Sequence, residues 1–289
     1  MTNAIFTGLM LGGMYALIAM GLTLQYGVAR IMNLSYGEFL VAASFASYWL
    51  FTGWALNPLL GLAIVVPIGF GVSIILYRVL LTPLVRRAPT RDALEVDSLL
   101  ATFGMMFIVQ GIMLTMFGGA YFSYSFLSIP VTLFGETLAL NRLIAFGLAV
   151  MFGLALYLAL TRTRFGTAIR AVAVDPSAAR LVAIDVTSIS AFAFALGGAM
   201  VAAAGVLVSM FLTFSASSGV IFTMKALMVV VMGGVGNLLG CLVAGLALGL
   251  SESLVATFVD PGLTLAVNFA LFLGVLLVKP AGLFGRAQR

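Results

Sequence analysis

The chain has 289 residues, of which 63% are hydrophobic and only 8% charged, with a mean hydropathy of +1.23. A soluble domain carries roughly 25% charged residues, and one this apolar would expose far more than the few hundred Å² of contiguous apolar surface that soluble monomers tolerate. Histidine is absent and Cys241 is the sole cysteine, which excludes Ser-His-Asp and Cys-His nucleophilic sites, Cys/His zinc sites and internal disulfides. The composition describes a membrane-embedded, all-α chain with little scope for chemistry of its own.

About 20 apolar residues cross a hydrocarbon layer of roughly 30 Å, so uncharged stretches mark the spans. Ala4–Leu24 reads as the first. Met1-Thr2-Asn3 lacks a basic leader and the span exceeds a signal-peptide core, so it reads as a retained helix. Phe39–Trp54 is short for a crossing and must borrow residues from Asn33–Glu38, which draws Glu38 into the membrane. Asn57-Pro58 breaks the chain before Gly61–Tyr77, and further spans read as Ser98–Phe117, Leu143–Leu160, Ile189–Phe211 and Gly262–Val278. Thr223–Leu250, interrupted by Gly233-Gly234-Val235-Gly236-Asn237, is long for one crossing and short for two. The sum is about eight hydrophobic elements in one domain covering residues 1–289, with broken helices near Asn33–Glu38 and Gly233–Asn237.

Eleven of the 14 basic residues fall in three places: Arg78, Arg86, Arg87 and Arg91; Arg162, Arg164, Arg170 and Arg180; and Lys279, Arg286 and Arg289. Cytoplasmic loops retain lysine and arginine, so both basic loops and the C-terminus are expected inside. The net charge of +5 then reflects topology and not nucleic-acid binding. Parity places the N-terminus outside and makes Thr223–Leu250 a hairpin that starts and finishes outside.

Three segments could carry work. In Arg30–Glu38, the residues Asn33, Ser35 and Gly37 favour broken over continuous helix. Non-helical backbone at membrane depth survives only where it lines a cavity or is buried in protein, so Asn33, Ser35, Tyr36, Gly37 and Glu38 either flank a translocation path or form an interfacial loop. Lys225 with Gly233, Gly234, Gly236 and Asn237 forms a second break. It lacks the Gly-Lys-Ser/Thr ending of a phosphate loop and the dinucleotide spacing, leaving a pathway element or a packing hinge. Gly8/Gly12, Gly236/Gly240 and Gly245/Gly249 match the small-residue packing pattern.

The third segment is Thr161–Asp185. Asp175-Pro176 signals a helix start, giving two short helices near Thr167–Val174 and Pro176–Ala183. Ile169, Val172 and Ala173 share one face of the first, and Ala178, Leu181 and Val182 one face of the second. Helices this short need a docking surface, which is either the bilayer interface or a cytoplasmic partner.

Together these segments resemble the permease subunits of branched-chain (hydrophobic) amino acid ABC transporters, and among them the shorter of two permease types. That type often carries Asn-Phe-Ala-His-Gly-Glu where this chain has Asn33-Leu34-Ser35-Tyr36-Gly37-Glu38. The run from Arg164-Phe165-Gly166 through Arg170, Asp175 and Ala178-Ala179 to Ile184-Asp185 resembles the family's ATPase-contacting loop. Gly233–Asn237 and Lys279–Gly285 fit its C-terminal half. Tyr36 and Ser35 depart from the family's histidine and alanine, and Ala183 stands where glycine is common.

The resemblance implies a passive conduit in a bacterial inner membrane, not an enzyme. It implies pairing with a second homologous permease as a heterodimer, with two cytoplasmic ATP-binding subunits and with a periplasmic solute-binding protein. No cofactor is expected on this chain; ATP and magnesium would be held by the ATPases. Arg164, Phe165, Gly166, Arg170, Ala171, Asp175, Pro176, Ala178 and Ala179 would form the coupling loop, with Gly166 and Ala171 permitting close approach. The expected cargo is leucine, isoleucine or valine. A secondary transporter remains the rival, since broken mid-membrane helices are also its signature; it would need coupling-ion carboxylates within spans, where Glu38 alone is expected and Glu252 and Asp260 mark a boundary.

Overall fold

The computed structural model describes residues 1–88, 90–133 and 136–285; Arg286 and Arg289 lie outside the described residues. Nine apolar helices fill the described part: α1 (Thr2–Ala29), α2 (Tyr36–Trp54), α3 (Pro58–Leu76), α5 (Arg91–Phe117), α6 (Leu140–Arg162), α9 (Val186–Ser209), α10 (Gly219–Gly233), α11 (Leu238–Phe258) and α12 (Thr264–Val278). A π-helical turn at Tyr77–Leu81 carries α3 into the short α4 (Thr82–Arg87), and α7 (Arg164–Val174) and α8 (Pro176–Leu181) connect α6 to α9. A small hairpin of β1 (Pro130–Leu133) and β2 (Glu136–Ala139), paired antiparallel with Pro130 opposite Ala139, joins α5 to α6. Seven helical stretches are long and apolar enough to cross a membrane.

The expected set of about eight hydrophobic elements is present, with the interrupted Thr223–Leu250 element resolved into two helices. Thr223–Leu250 is part of a larger hairpin in which α10 and α11 are separate helices. Gly234 and Gly236 take positive φ between them, and the Asn237 side chain caps α11 by accepting from the Gly240 amide at 3.0 Å. Asn57 likewise caps α3, accepting from the Leu59 amide at 2.9 Å with Pro58 in the first turn. Both breaks are local capping chemistry that the sequence displays.

α1 and α9 form the centre; most of their side chains are buried, whereas α5 and α12 turn most of theirs outward. The small-residue pattern explains one close crossing. Gly8 and Gly12 of α1 lie against the backbone of α11 at Gly249, Gly245 and Leu246, so a methyl on either glycine would overlap main chain. Such contacts let helices approach closely where lipid supplies no hydrophobic drive between them.

The two ends of the layer differ. A cleft lined by Arg78, Arg86, Arg87, Asp185 and Ser188 brings the first basic loop beside the start of α9. Ile169 and Arg170 of α7 line a second cleft with Gly27 and Gly236, and the backbone of Leu283 and Phe284 bonds to Met232 and Gly233. Both basic loops and residues 279–285 therefore share one face. The first residues of α1 lie at the opposite face, where Thr2 donates to Glu136 of the hairpin.

Candidate functional site

After α1 the backbone turns back on itself. Arg30 caps the helix in the left-handed region, with φ of 56°, and residues 31–35 run back along the last turns of α1. Asn33 fixes this reversal. Its amide donates to Gln25 Oε1 at 3.1 Å, while its Oδ1 accepts from the Ser35 backbone N–H at 3.1 Å and the Ser35 hydroxyl at 2.6 Å. Gln25 in turn donates to the Phe194 carbonyl of α9, and Tyr36 donates to the Gly197 carbonyl at 3.0 Å. Helix α2 thus begins inside the packed layer, beside the body of α1. Asn33, Ser35, Tyr36 and Glu38 are all buried, which decides against an exposed interfacial loop.

The first turn of α2 meets the first turn of α10. The Gly37 amide donates to Thr223 Oγ1 at 2.8 Å. A methyl at Gly37 would strike the Gly219 carbonyl oxygen and come within 2.8 Å of the Thr223 backbone nitrogen. The Glu38 carboxylate lies directly against Gly219, whose missing side chain leaves the room it fills. Glu38 is 0% exposed and neither oxygen has a hydrogen-bond partner among the described residues. Ser35 and Glu38 have the spacing of a capping box, in which the glutamate would accept from the Ser35 N–H. Asn33 has taken that donor, so Glu38 is left free. A helix N-terminus offsets at most about 2 kcal/mol of carboxylate charge, whereas burying an ion costs several kcal/mol. The Glu38 carboxylate is under-compensated.

Lys225 faces elsewhere. Its ammonium contacts Glu252 Oε1 and Oε2 at 2.8 and 2.9 Å, donates to Tyr15 Oη at 2.7 Å and sits 4.7 Å from the centre of the Tyr15 ring. Asn268 of α12 donates to Glu252 at 3.2 Å and accepts from Ser251. Four helices, α1, α10, α11 and α12, are joined by this network. Glu252 lies within α11 and is mostly buried, not at a span boundary as expected. Sequence reasoning missed it because a ruler made of uncharged stretches must end wherever a charge occurs.

The second glycine-rich break lies away from the first. Gly233, Gly234, Gly236 and Asn237 are at the far end of α10, about 21 Å from its start at 1.5 Å per residue. The Gly236 amide donates to Thr23, and Asn237 donates to the Phe284 carbonyl. A Cβ on Gly234 would strike Gly285. This break is packed under residues 283–285 and is not brought beside Asn33–Glu38.

In the third segment α7 begins three residues before the expected Thr167, at Arg164, and α8 ends two before Ala183, at Leu181. Asp175 accepts from the Ser177 and Ala178 amides at 2.8 and 3.1 Å, the cap that Asp175-Pro176 announces. Ile169 and Val172 are buried as their spacing predicts. Ala179 is the residue of α8 buried in the chain, while the expected face of Ala178, Leu181 and Val182 is exposed together. Gly166 is buried against the Leu160 and Ala159 carbonyls that end α6, and Ala171 and Pro176 are half-buried. Arg164, Phe165, Arg170, Val174 and Asp175 face outward beside Leu181 and Val182. Ala183, where glycine is usual, has φ of 60°.

Asp185 caps α9. The Ser188 hydroxyl and amide, then the Thr187 amide, hold its carboxyl below the ordinary value of 3.8. Among the described residues no cluster of three or more metal-ligating side chains occurs.

Comparison with known proteins gives the lineage. The family model for the permease component of branched-chain amino acid transport systems matches residues 4–276. The LivH high-affinity branched-chain amino acid transport permease of Escherichia coli K12 is 30% identical, over 98% of this chain and 95% of that protein. BraD of Pseudomonas aeruginosa is 30% identical over 97% and 94%, and a probable LivH of Methanocaldococcus jannaschii is 26% identical over 93% and 88%. No solved structure matches the chain. With the match running from α1 through α12 and the buried Asn33–Glu38 turn at its centre, the chain belongs to the branched-chain amino acid transport system permease family.

Proposed function

We propose that the chain forms half of the inner-membrane conduit of an ATP-binding-cassette importer for amino acids, leucine, isoleucine and valine foremost. A second homologous permease supplies the other half, two ATP-binding subunits seat on the basic face in the cytoplasm, and a periplasmic solute-binding protein delivers cargo to the opposite face. ATP and magnesium belong to the ATPases; this chain binds no cofactor.

The observation that carries this reading is the outward surface of α7 and α8. Phe165 is 63% exposed, Val174 82%, Leu181 89% and Val182 70%, all on the basic face. Exposed Arg164, Arg170, Asp175 and Arg180 lie among them. Charges of both signs interleaved with apolar groups suit a protein groove. Ile169 and Val172 dock the inner side of α7 on the helix bundle, so force on the outer side passes into α1, α6 and α9. In this mechanism nucleotide-driven closure of the ATPases moves α7 and α8, and the bundle switches access between the two sides.

The test is affinity purification in mild detergent, with the co-purifying chains identified. Wild type brings down ATP-binding subunits and a second permease. Leu181→Glu and Arg170→Glu keep the permease partner and lose ATPase recruitment and uptake. Unchanged recruitment and uptake in both variants contradict the reading.

A further inference from the structure

We propose that the Glu38 carboxylate receives the ammonium group of the amino-acid cargo when α2 and α10 separate, an assignment that rests on the transport function proposed above. Glu38 is fully buried, and both of its oxygens lack a partner among the described residues. The backbone donor that the Ser35 capping position would offer is occupied by Asn33, which accepts from both the amide and the hydroxyl of Ser35. Among the described residues no cation is paired with the group either. Lys225, six residues along α10 from Gly219, is turned to Tyr15 and Glu252.

The carboxylate is instead held against Gly219, where any side chain would displace it. It therefore sits at the seam between two interrupted helices that start inside the layer. Unused acceptor capacity at such a seam is a recognition element for a donor that comes and goes. A primary ammonium supplies the opposite charge and up to three N–H donors. In this structure α2 and α10 close over the carboxylate, with the Gly37 amide bonded to Thr223, so the site opens only as that bond is broken.

The experiment uses the assembled permease–ATPase complex in detergent, without binding protein, and follows the thermal unfolding midpoint. The probes are L-leucine, isoamylamine (leucine without its carboxylate) and isocaproate (leucine without its ammonium). Leucine and isoamylamine raise the wild-type midpoint and isocaproate does not. Glu38→Gln abolishes both rises and lowers uptake about tenfold or more while ATP turnover persists; Glu38→Asp keeps a reduced rise with isoamylamine. A Glu38→Gln complex that responds as wild type, or isocaproate acting as strongly as isoamylamine, overturns the assignment. If Glu38→Gln fails to assemble, Glu38→Asp decides: an assembled complex that keeps the isoamylamine rise supports the assignment, and failure to assemble marks Glu38 as structural and overturns it. Loss of wild-type ATP-driven amino-acid uptake would instead overturn the transport function itself.

Discussion

Asn33 is the residue on which the reversal after α1 depends, because its side chain satisfies two donors of Ser35 and reaches Gln25 at once. Asn33→Ala removes the partner of the buried Ser35 hydroxyl and of Gln25 Oε1 and should cost about 1–3 kcal/mol, read as a lower unfolding midpoint of the purified complex. Gly37→Ala, which forces a methyl into the α10 backbone, should cost about as much by overpacking. Ala183 occupies the left-handed region, which disfavours side chains by roughly 1–2 kcal/mol. Ala183→Gly should therefore leave stability unchanged or slightly raised, and Ala183→Val should lower it. Asp185 gives a pH signature. Its carboxyl is held low in the folded chain, so its cap contributes above the ordinary value near 3.8 and is lost as the pH falls through and below it. The stability difference between wild type and Asp185→Asn should shrink between pH 6 and pH 3; a constant difference would contradict the capping assignment. The break at Asn33–Glu38 was legible because Asn, Ser and Gly compete with helical backbone. Its partners Gln25, Gly197 and Thr223 were not, since nothing local specifies which helices meet there.

At the scale of elements, uncharged stretches located the long helices well and failed where the physics is not a count of charges. The α10–α11 hairpin was legible from the glycines of Gly233–Asn237, but its length was not, because Glu252 ends the uncharged run six residues before α11 ends. Glu252 was placed at a boundary because it ends an uncharged run, although Lys225 neutralises it within the layer. Helix α7 was legible from its period. Helix α8 was legible from its Asp175-Pro176 start, though six residues hold too little period to show that Ala179 would be its inward side chain. Removing one partner of the Lys225–Glu252 pair should be severe: Lys225→Met leaves the carboxylate without a countercharge, held only by neutral groups such as Asn268, and should cost about 3–5 kcal/mol. Lys225→Met with Glu252→Gln should recover most of that loss in the unfolding midpoint. A double variant no more stable than the single one would show that the two charges are not coupled.

For the whole molecule, the basic loops and the C-terminal segment gather on one face, the start of α1 sits on the other, and the Asn33–Glu38 turn lies between them. The exposed outer surface of α7 and α8 and a buried seam between interrupted helices suit the proposed conduit operated from one side. Cysteine at Ser35 should resist small water-soluble thiol reagents in the closed state and react during nucleotide turnover; protection in every state would contradict a seam that opens. Reconstitution tests the central claim most directly. Labelled leucine is followed into proteoliposomes that hold either the complete assembly or this chain alone, with ATP or an ion gradient as the sole energy source. Accumulation is expected only for the complete assembly hydrolysing ATP. Uphill accumulation by this chain alone under a proton or sodium gradient would show that it is not a passive conduit.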